Sequence, residues 1–377
     1  VVSDMSEISV AEIQAWFDEA LVTDGWNLTY NHFDAADEKL RETLTAIGNG
    51  YLGNRGSFEG EFASDVHYPG TYIAGVYNKL ASMVGGKRIY NNDFVNCPNW
   101  TSVELATGSS EYISPLKMKI LSYKHRLDIK EGVVARTLIV KDARGRVTRI
   151  ETRRMASMHD PHLCALQFDV TPLNYSGAIR IRSALDGRVI NDNVARYREL
   201  NQKHLAPVSQ GKTGSTVFLH TQTNRSKYQI VMHAKTSVYQ GKRRLRSGGE
   251  IQKGRGYIAE IFTLNMAENT TCRLEKMVSI FTSLDEGIKN PRTAGKRALS
   301  GVKSFAEVYR PHVRAWANIW KTADIRIEGD RFMQKAVRLH TYHLLVAASP
   351  HNVGIDAGIT ARGLHGEAYR GHVFWDE

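Results

Sequence analysis

A chain of 377 residues is too long to fold around one hydrophobic core of ordinary size, so the sequence predicts two domains, or one domain and part of another. Hydrophobic residues make up 42% of the chain and charged residues 24%, which excludes a disordered or fibrous protein. No run approaches the roughly 18 apolar residues that a membrane helix needs, and residues 1–10 lack the pattern of a secretory signal. We therefore expect a cytoplasmic location and no membrane partner.

The three cysteines, Cys97, Cys164 and Cys272, lie far apart and show no C-x-x-C spacing. An odd number of widely separated cysteines supports neither a disulfide framework nor a zinc site. Cys164 lies within an alternating apolar pattern, where it is typical of a small core residue. This cysteine usage fits a reducing compartment such as the cytoplasm.

The net charge of +11 raises the question of a nucleic-acid partner. The basic residues are spread along predicted strands, where Arg180 and Arg182 alternate with Ile179 and Ile181 and so face outward. The densest run, residues 242–246, is typical of an exposed hairpin end. Nucleic-acid sites usually interleave aromatic residues with such patches, so the pattern favours a solvated face and no nucleic-acid partner. A protein that handles phosphate or phosphosugars would tolerate the same charge.

Residues 8–21 carry apolar side chains at helical spacing, which predicts a short opening helix. From residue 27 to about residue 282 the chain consists mostly of short alternating runs separated by Gly, Asn and Asp. Strands are predicted at 133–141, 164–170, 178–185, 216–221, 227–234, 257–264 and 272–282, with a hairpin turn after 141. Many strands with short turns and no intervening helices predict antiparallel sheets in a large β-sandwich.

The pattern changes near residue 285. Residues 304–320 form one helical stripe, and residues 331–347 form another that ends before Ser349 and Pro350. The sequence therefore predicts a mainly β chain with some α structure. We assign residues 1–285 to the N-terminal β-sandwich, 286–325 to a helical linker, and 326–377 to the incomplete start of an all-α domain.

Two loop segments could carry chemistry. Residues 47–56, IGNGYLGNRG, are rich in glycine, but their spacing matches no known phosphate loop. We interpret them as a tight turn in which glycine supplies positive φ and Arg55 braces neighbouring carbonyls. Residues 91–100, NNDFVNCPNW, set amides beside aromatic rings, as sugar sites do. The favoured alternative is a turn-rich loop closed by Pro98 with Trp100 buried.

A third segment, residues 356–377, has no helical period and is predicted to be a long irregular loop, which is more often a site than a connector. Trp375 beside Asp376 suits a sugar clamp, because the indole packs on a pyranose face and the carboxylate accepts from paired hydroxyls. The spacing of His365 and His372 does not favour a metal site. Glu367 and Glu377 suggest an acid/base pair, although nothing in the spacing brings them face to face.

GLHGEAYRGHVFWDE, which ends the chain, resembles the GLxGExYxGHxFWD signature of glycoside hydrolase family 65. Three more stretches resemble the same family in the same order: residues 47–56, residues 95–100 (VNCPNW), and residues 324–330 together with 334–339. The chain departs from many members by lacking Thr between Asp376 and Glu377, which we interpret as a subgroup mark. The resemblance implies an N-terminal β-sandwich, a helical linker and an (α/α)6 barrel, of which this chain holds only the start.

The resemblance also implies an activity. Family phosphorylases use inorganic phosphate as co-substrate, with no other cofactor, to convert an α-linked glucose disaccharide into β-glucose 1-phosphate and a free sugar with inversion. By this likeness Phe374, Trp375 and Asp376 bind the transferred glucose. The general acid and the phosphate ligands are expected beyond residue 377, so we assign no catalytic residue or metal ligand here, and Glu377 does not take that role. The implied partners are the remaining C-terminal part of the enzyme and a second copy in a homodimer.

Three alternatives stay open. A family 65 hydrolase of trehalose type would need a second carboxylate to activate water. A non-catalytic carbohydrate-binding module could be built on the β-sandwich alone. A nucleic-acid binder is the third, and its affinity would fall steeply with salt.

Overall fold

The structure is a computed structural model. It describes residues 25–108, 111–192, 194, 199–241, 243–245, 248–355, 357–360 and 362–367. The predicted helix at 8–21 lies outside these residues. Within them no helix combines the length and the hydropathy needed to cross a bilayer.

Four α-helices are described: α1 Glu38–Leu44, α2 Pro291–Ser300, α3 Phe305–Ala323 and α4 Arg331–Ala347. The first eleven strands are β1 Asn27–Tyr30, β2 Ile47–Gly48, β3 Leu52–Asn54, β4 Thr71–Ile73, β5 Tyr77–Val84, β6 Lys87–Phe94, β7 Val103–Thr107, β8 Lys119–Asp128, β9 Val133–Lys141, β10 Val147–Ala156 and β11 Leu163–Pro172. The remaining strands are β12 Gly177–Asp186, β13 Leu205–Thr213, β14 Thr216–Thr223, β15 Gln229–Gln240, β16 Arg243–Arg244, β17 Glu250–Gly254, β18 Tyr257–Met266 and β19 Cys272–Thr282.

All described strand pairs are antiparallel, as the sequence predicts. The largest sheet has ten strands in the order β1-β8-β9-β10-β11-β19-β15-β14-β13, with β16 paired to β15. A four-stranded sheet runs β17-β18-β12-β7, and two small sheets comprise β2-β3-β4 and β5-β6. The protein is therefore mainly β, with the antiparallel sheets of the predicted sandwich.

The turn between β9 and β10 shows how local chemistry fixes the register of the large sheet. The Asp142 side chain accepts hydrogen bonds from the amides of Arg144 (2.9 Å) and Arg146 (3.0 Å). Gly145 adopts a φ of 80°, which a residue with a Cβ rarely takes. The strands that leave this turn pair Val147 with Lys141 and continue without a shift.

The main core lies between the ten-stranded and the four-stranded sheets. Inward side chains such as Leu138 and Phe168 from the large sheet join Ile179 and Ile181 of β12, and all four are at most 1% exposed. Burying an aliphatic or aromatic side chain of this size contributes roughly 1.5–3 kcal/mol, so this alternation is what closes the sandwich. The intervening Arg182 faces outward as predicted and pairs with Glu104 at 2.6 Å.

The opposite face of the large sheet is covered by α2 and α3. A second buried cluster joins Met155, Ala165 and Met277 of the sheet to Leu299 and Phe305 of the helices. At Gly295 the α2 backbone approaches the sheet so closely that its carbonyl accepts from the Ser279 hydroxyl at 2.9 Å. The large sheet is thus covered on both faces.

Two expectations about local structure are wrong. A helix, α1, interrupts the strand region that was predicted to contain none. Its sequence EKLRETL is short and mostly charged, and its polar residues Glu38, Arg41 and Glu42 are buried, so no apolar stripe marks it. Residues 91–94 belong to β6 instead of a loop, although Trp100 is fully buried as expected.

Candidate functional site

The glycine-rich residues 47–56 form a hairpin of β2 and β3 whose amides already have partners within the protein. The amide of Asn49 donates to the Leu52 carbonyl, and the amides of Tyr51 and Leu52 donate to the Asn49 side chain. The Gly50 amide donates to the carbonyl of Val346 at 2.8 Å. A phosphate loop needs free amides, so this hairpin is a structural turn, as the sequence analysis favours.

The hairpin caps the end of α4. The Ser349 hydroxyl donates to the Asn49 carbonyl at 2.6 Å, and the Asn352 amide group donates to the Gly50 carbonyl at 2.9 Å. Gly50 has a φ of 85°, and a Cβ there would lie 2.3 Å from both the Ser349 and the Asn352 side chains. The start of the following domain is thereby joined to the β domain by side chains that fit only a glycine.

The other glycines act through close approach and not through positive φ, which corrects the sequence interpretation. A Cβ on Gly53 would lie 1.6 Å from the carbonyl oxygen of Leu364, and one on Gly56 would lie 2.0 Å from the Thr45 hydroxyl. Leu364 is 2% exposed. The last described segment, residues 362–367, therefore lies directly on the backbone of β3.

Arg55 braces carbonyls, as predicted from its sequence context. Its guanidinium donates to the carbonyl oxygens of Tyr68 at 3.0 Å, Lys39 at 2.5 Å and His365 at 3.5 Å. The side chain is 2% exposed, and it lies 3.7 Å from the Glu42 carboxylate. One buried cation thus connects α1, the segment before β4 and the last described loop.

The last described loop, residues 362–367, contacts the β domain in a region that we call the junction. Glu367 lies at its centre and is 3% exposed. The Tyr72 hydroxyl donates to its Oε1 at 2.8 Å, and the Tyr68 hydroxyl makes a second hydrogen bond to the same oxygen. The Tyr68 oxygen in turn accepts from the Asn96 amide group at 3.1 Å. Residues 91–100 therefore support this carboxylate through Asn96.

Burial raises the pKa values of Tyr68 and Tyr72 well above their ordinary value, and the nearby Glu367 carboxylate raises them further. Both phenols consequently stay protonated at any physiological pH and act as hydrogen-bond donors. Two donors aimed at one carboxylate oxygen fix the orientation of Glu367. This arrangement positions the loop that carries Glu367.

A buried ionic network supports the hairpin from below. Arg136 donates to the Gly56 carbonyl at 3.0 Å, and Arg154 donates to the Arg55 carbonyl at 2.8 Å. Both guanidinium groups also pair with Glu59, which is 1% exposed. Removing one partner of such a buried group typically costs about 3–5 kcal/mol, because the remaining charges lose their compensation.

Glu38, Glu42 and His67 have ligand atoms within 4.8 Å of one another, the spacing of a possible cation site. Arg41 lies 3.7 Å from Glu38, and Arg55 lies 3.7 Å from Glu42. These guanidinium groups already balance the carboxylate charge and would repel a cation. The arrangement is better explained as part of the ionic network.

His365 of the last described loop lies beside His343 of α4, with ring centroids 5.4 Å apart. Burial lowers the pKa of His343 to about 4 and that of His365 well below its ordinary value. Both rings are therefore neutral at pH 7. His372, which the sequence analysis considered beside His365, lies outside the described residues.

The predicted glucose-binding residues Phe374, Trp375 and Asp376 lie outside the described residues, as does Glu377. The described part of the terminal segment, 357–360 and 362–367, holds neither helix nor strand, in agreement with the predicted loop. Tyr68 and Tyr72 were not predicted from the sequence. They stand in the stretch HYPGTYI, which matches no chemical motif, so only their contacts with Glu367 mark them.

Two family models match the chain. Residues 28–319 match the N-terminal domain of glycosyl hydrolase family 65, and residues 338–377 match the central catalytic domain of the same family. The first match alone covers most of the chain. This chain belongs to glycosyl hydrolase family 65. The junction described above lies between the two parts that the family models define.

Relatives in family 65 agree with this assignment. An uncharacterized glycosyl hydrolase of Mycobacterium tuberculosis is 38% identical over 94% of this chain and 27% of its own length. The kojibiose phosphorylase of Thermoanaerobacter brockii is 32% identical over 94% of this chain and 45% of its own length. This chain therefore spans less than half the length of these relatives.

A solved structure supports the fold. It is a human-microbiome protein named after kojibiose phosphorylase, and it superposes with a TM-score of 0.82 at 20% identity. The superposition covers 95% of this chain and 46% of that structure. At this identity the likeness establishes the architecture of the described β domain and helices.

Proposed function

We propose that the protein carrying this chain phosphorolyses an α-linked glucose disaccharide, giving β-glucose 1-phosphate and a free sugar with inversion. Membership of family 65 and the kojibiose phosphorylase among its relatives support this activity. The observation that carries the proposal is the buried clamp that the Tyr68 and Tyr72 hydroxyls form on Glu367, the last residue described before the predicted glucose-binding residues Phe374, Trp375 and Asp376.

The clamp limits where those three residues can lie. Phe374 follows Glu367 by seven positions. A fully extended chain spans at most about 3.6 Å per residue, so Phe374 stays within roughly 25 Å of the clamp. In the proposed site Trp375 packs on the face of the transferred glucose, and Asp376 accepts hydrogen bonds from its hydroxyls. The β domain thus serves as the rigid support of a sugar site that the next domain completes.

Phosphate itself is the nucleophile in the proposed reaction, so the protein needs one carboxylate, as general acid. We place that acid and the phosphate ligands beyond residue 377, in an (α/α)6 barrel that residues 326–377 begin. Inorganic phosphate is the only co-substrate proposed, with no metal or organic cofactor. A cytoplasmic location and a homodimer complete the proposal.

Incubation of the protein at its full natural length with trehalose, maltose, kojibiose and nigerose, with and without phosphate, tests the activity. We expect one of the four sugars to be cleaved only when phosphate is present, with release of β-glucose 1-phosphate that NMR identifies by its anomeric proton. Release of two free sugars at equal rates with and without phosphate would instead identify a hydrolase of trehalose type. Disaccharide binding without cleavage in either condition would favour a carbohydrate-binding module.

A further inference from the structure

A concave surface lies on the β5–β6 hairpin, beside the turn between β14 and β15. Its volume is about 610 Å³, large enough for one or two sugar rings. It is lined mainly by Tyr77, Lys79, Tyr90, Asn92, Arg225 and Tyr228. Nothing in the proposed phosphorolysis uses these residues.

The hairpin register explains why polar and aromatic groups gather on one face. Lys79 pairs with Asn92 and Ala81 pairs with Tyr90, and cross-strand partners point to the same side of a sheet. The alternate residues of β5 and β6, such as Asn78 and Asn91, are buried. The exposed face of the β5–β6 hairpin, which forms one side of the pocket, therefore carries a cation, an amide and aromatic rings.

The wall of this pocket is held rigidly by the turn between β14 and β15. The Asn78 side chain, which is fully buried, accepts from the amides of Arg225 at 3.0 Å and Ser226 at 3.1 Å. The Ser226 hydroxyl donates to the Tyr77 carbonyl at 2.8 Å. The turn that carries Arg225 is thus held against β5 by three hydrogen bonds, so the backbone of this wall needs little rearrangement when a ligand binds.

The pocket carries positive charge. The Lys79 ammonium and the Arg225 guanidinium each lie 5.5 Å from the centroid of the Tyr90 ring. Among the described residues neither cation has a carboxylate within the 4.0 Å of an ion pair. Hydrogen bonds from the guanidinium groups of Arg88 and Arg225 lower the pKa of Tyr90, and the positive charges of the two groups lower it further. Two uncompensated cations over one exposed ring favour an anionic ligand.

We propose that this pocket binds a phosphorylated sugar. The phosphate lies between Lys79 and Arg225, the pyranose face packs on the Tyr90 ring, and Asn92 hydrogen-bonds a hydroxyl group. A guanidinium forms strong charge-assisted hydrogen bonds with phosphate oxygens, while an aromatic ring and an amide suit the carbohydrate part. A pocket of about 610 Å³ fits a small ligand better than a nucleic-acid strand, which needs an extended basic groove.

Isothermal titration of the full-length protein with glucose 6-phosphate, inorganic phosphate and glucose tests the proposal. We expect glucose 6-phosphate to bind at least tenfold more tightly than either of the other two, because it alone uses both halves of the pocket. Equal affinity for glucose 6-phosphate and inorganic phosphate would overturn the sugar contact. Equal affinity for glucose would overturn the role of the cations.

Variants locate the binding. Arg225→Gln and Lys79→Gln should each weaken glucose 6-phosphate binding at least tenfold. Arg243→Gln is the matched control, since Arg243 is an exposed arginine that pairs with the far end of β15. Both test side chains are exposed, so circular dichroism should report unchanged folding. If neither variant weakens binding, the phosphosugar binds elsewhere and the proposal is wrong. The proposed catalytic site also takes phosphate and glucose, so only the binding that Arg225→Gln or Lys79→Gln removes is assigned to this pocket, and that difference does not depend on whether the protein phosphorolyses a disaccharide.

Discussion

Lys276 lies at the centre of the sandwich with none of its surface exposed. Its ammonium donates to the carbonyl oxygens of Ala184 at 2.6 Å and Ser102 at 3.2 Å. Burial lowers its pKa to about 7, although the nearby Glu260 carboxylate raises it in part. A charged lysine in this position opposes folding, because its hydration is only partly replaced.

The pH dependence follows from the direction of this shift. Between pH 7 and about 10 the unfolded chain binds more protons at Lys276 than the folded chain, so stability rises with pH. Below pH 7 Lys276 is charged in both the folded and the unfolded chain, so the full cost of burying the ammonium group lowers the stability. We predict that Lys276→Met raises the free energy of unfolding at pH 6 by several kcal/mol and that this gain shrinks towards pH 9.5. Urea unfolding at several pH values measures it.

Lys253→Met is the control for that measurement, since Lys253 lies exposed in β17. We expect no pH-dependent difference between this control and the native protein. A gain from Lys276→Met that is equal at pH 6 and pH 9.5 would contradict the assignment of the penalty to the charge.

The hydrogen bonds from Tyr68 and Tyr72 to Glu367 lead to a second prediction about single residues. Tyr72→Phe removes one of two donors to a buried carboxylate, and hydrogen bonds to charged groups contribute about 1.5–3 kcal/mol. We predict a loss of that size in the free energy of unfolding and a lower kcat/KM for the disaccharide substrate. The control is Tyr175→Phe, whose hydroxyl contacts Thr148 at 2.9 Å far from the junction. Equal losses of kcat/KM in both variants would argue against a positioning role for the clamp.

At the scale of elements, the β2–β3 hairpin joins the β domain to the segment after α4. Its fit depends on the missing Cβ of Gly53, because the Leu364 carbonyl occupies that space. A backbone carbonyl cannot rotate away as a side chain can. The hairpin and the terminal loop must therefore move apart if that position gains a side chain.

We predict that Gly53→Ala destabilises the protein by more than about 2 kcal/mol and lowers disaccharide phosphorolysis by the full-length protein. Gly254→Ala is the matched control in β17, where a Cβ would meet its nearest neighbour at 3.8 Å. That substitution should be neutral or slightly stabilising. Thermal unfolding of the two variants beside the native protein measures both effects, and similar melting temperatures for the two would disprove the packing argument.

Other element bounds could be predicted from sequence. The strands at 133–141 and 272–282 and the helix at 331–347 have the bounds that periodicity indicates. Alternation and helical stripes report how a segment meets the core, so they work where burial is one-sided. The sequence pattern does not predict α1, because the buried groups of this helix are charged and their partners lie elsewhere in the chain.

At the scale of the whole molecule, buried neutral histidines contribute to the response to acid. Burial lowers the pKa values of four of them to about 4: His204, His233, His312 and His343. Between about pH 6.5 and pH 4 the unfolded chain binds protons at these sites and the folded chain does not. Each of these groups therefore lowers the free energy of unfolding as the pH falls through this window, by up to about 1.4 kcal/mol per pH unit.

We predict cooperative acid unfolding above pH 4, seen as a falling urea midpoint between pH 6.5 and pH 4.5. His312→Asn should reduce the slope of the free energy of unfolding against pH, because about one proton fewer is taken up on unfolding. Its Oδ1 can accept the Met158 amide proton, which the His312 Nδ1 accepts at 3.0 Å. His159→Asn serves as the control. His159 lies in the turn before β11, and its backbone amide donates to the Ser157 hydroxyl. An unchanged slope in His312→Asn would show that other groups control acid unfolding.

By itself the sequence determined the antiparallel β domain, the two long helices and the membership of family 65. Those features depend on local periodicity and on residues that lie together in short motifs, so they can be read from the linear order. The same reasoning predicted that Arg55 braces carbonyls and that Trp100 is buried. The assignment of glucose to Phe374, Trp375 and Asp376 stays a prediction.

Only the tertiary structure decided the junction and its chemistry. Arg55 meets the carbonyl of His365 across 310 positions of sequence, and Tyr68 and Tyr72 reach Glu367 over a similar span. The penalty at Lys276 and the positive pocket beside Tyr90 also arise from groups that separate strands bring together. Burial, desolvation and uncompensated charge depend on neighbours in space, and one sequence records only neighbours along the chain.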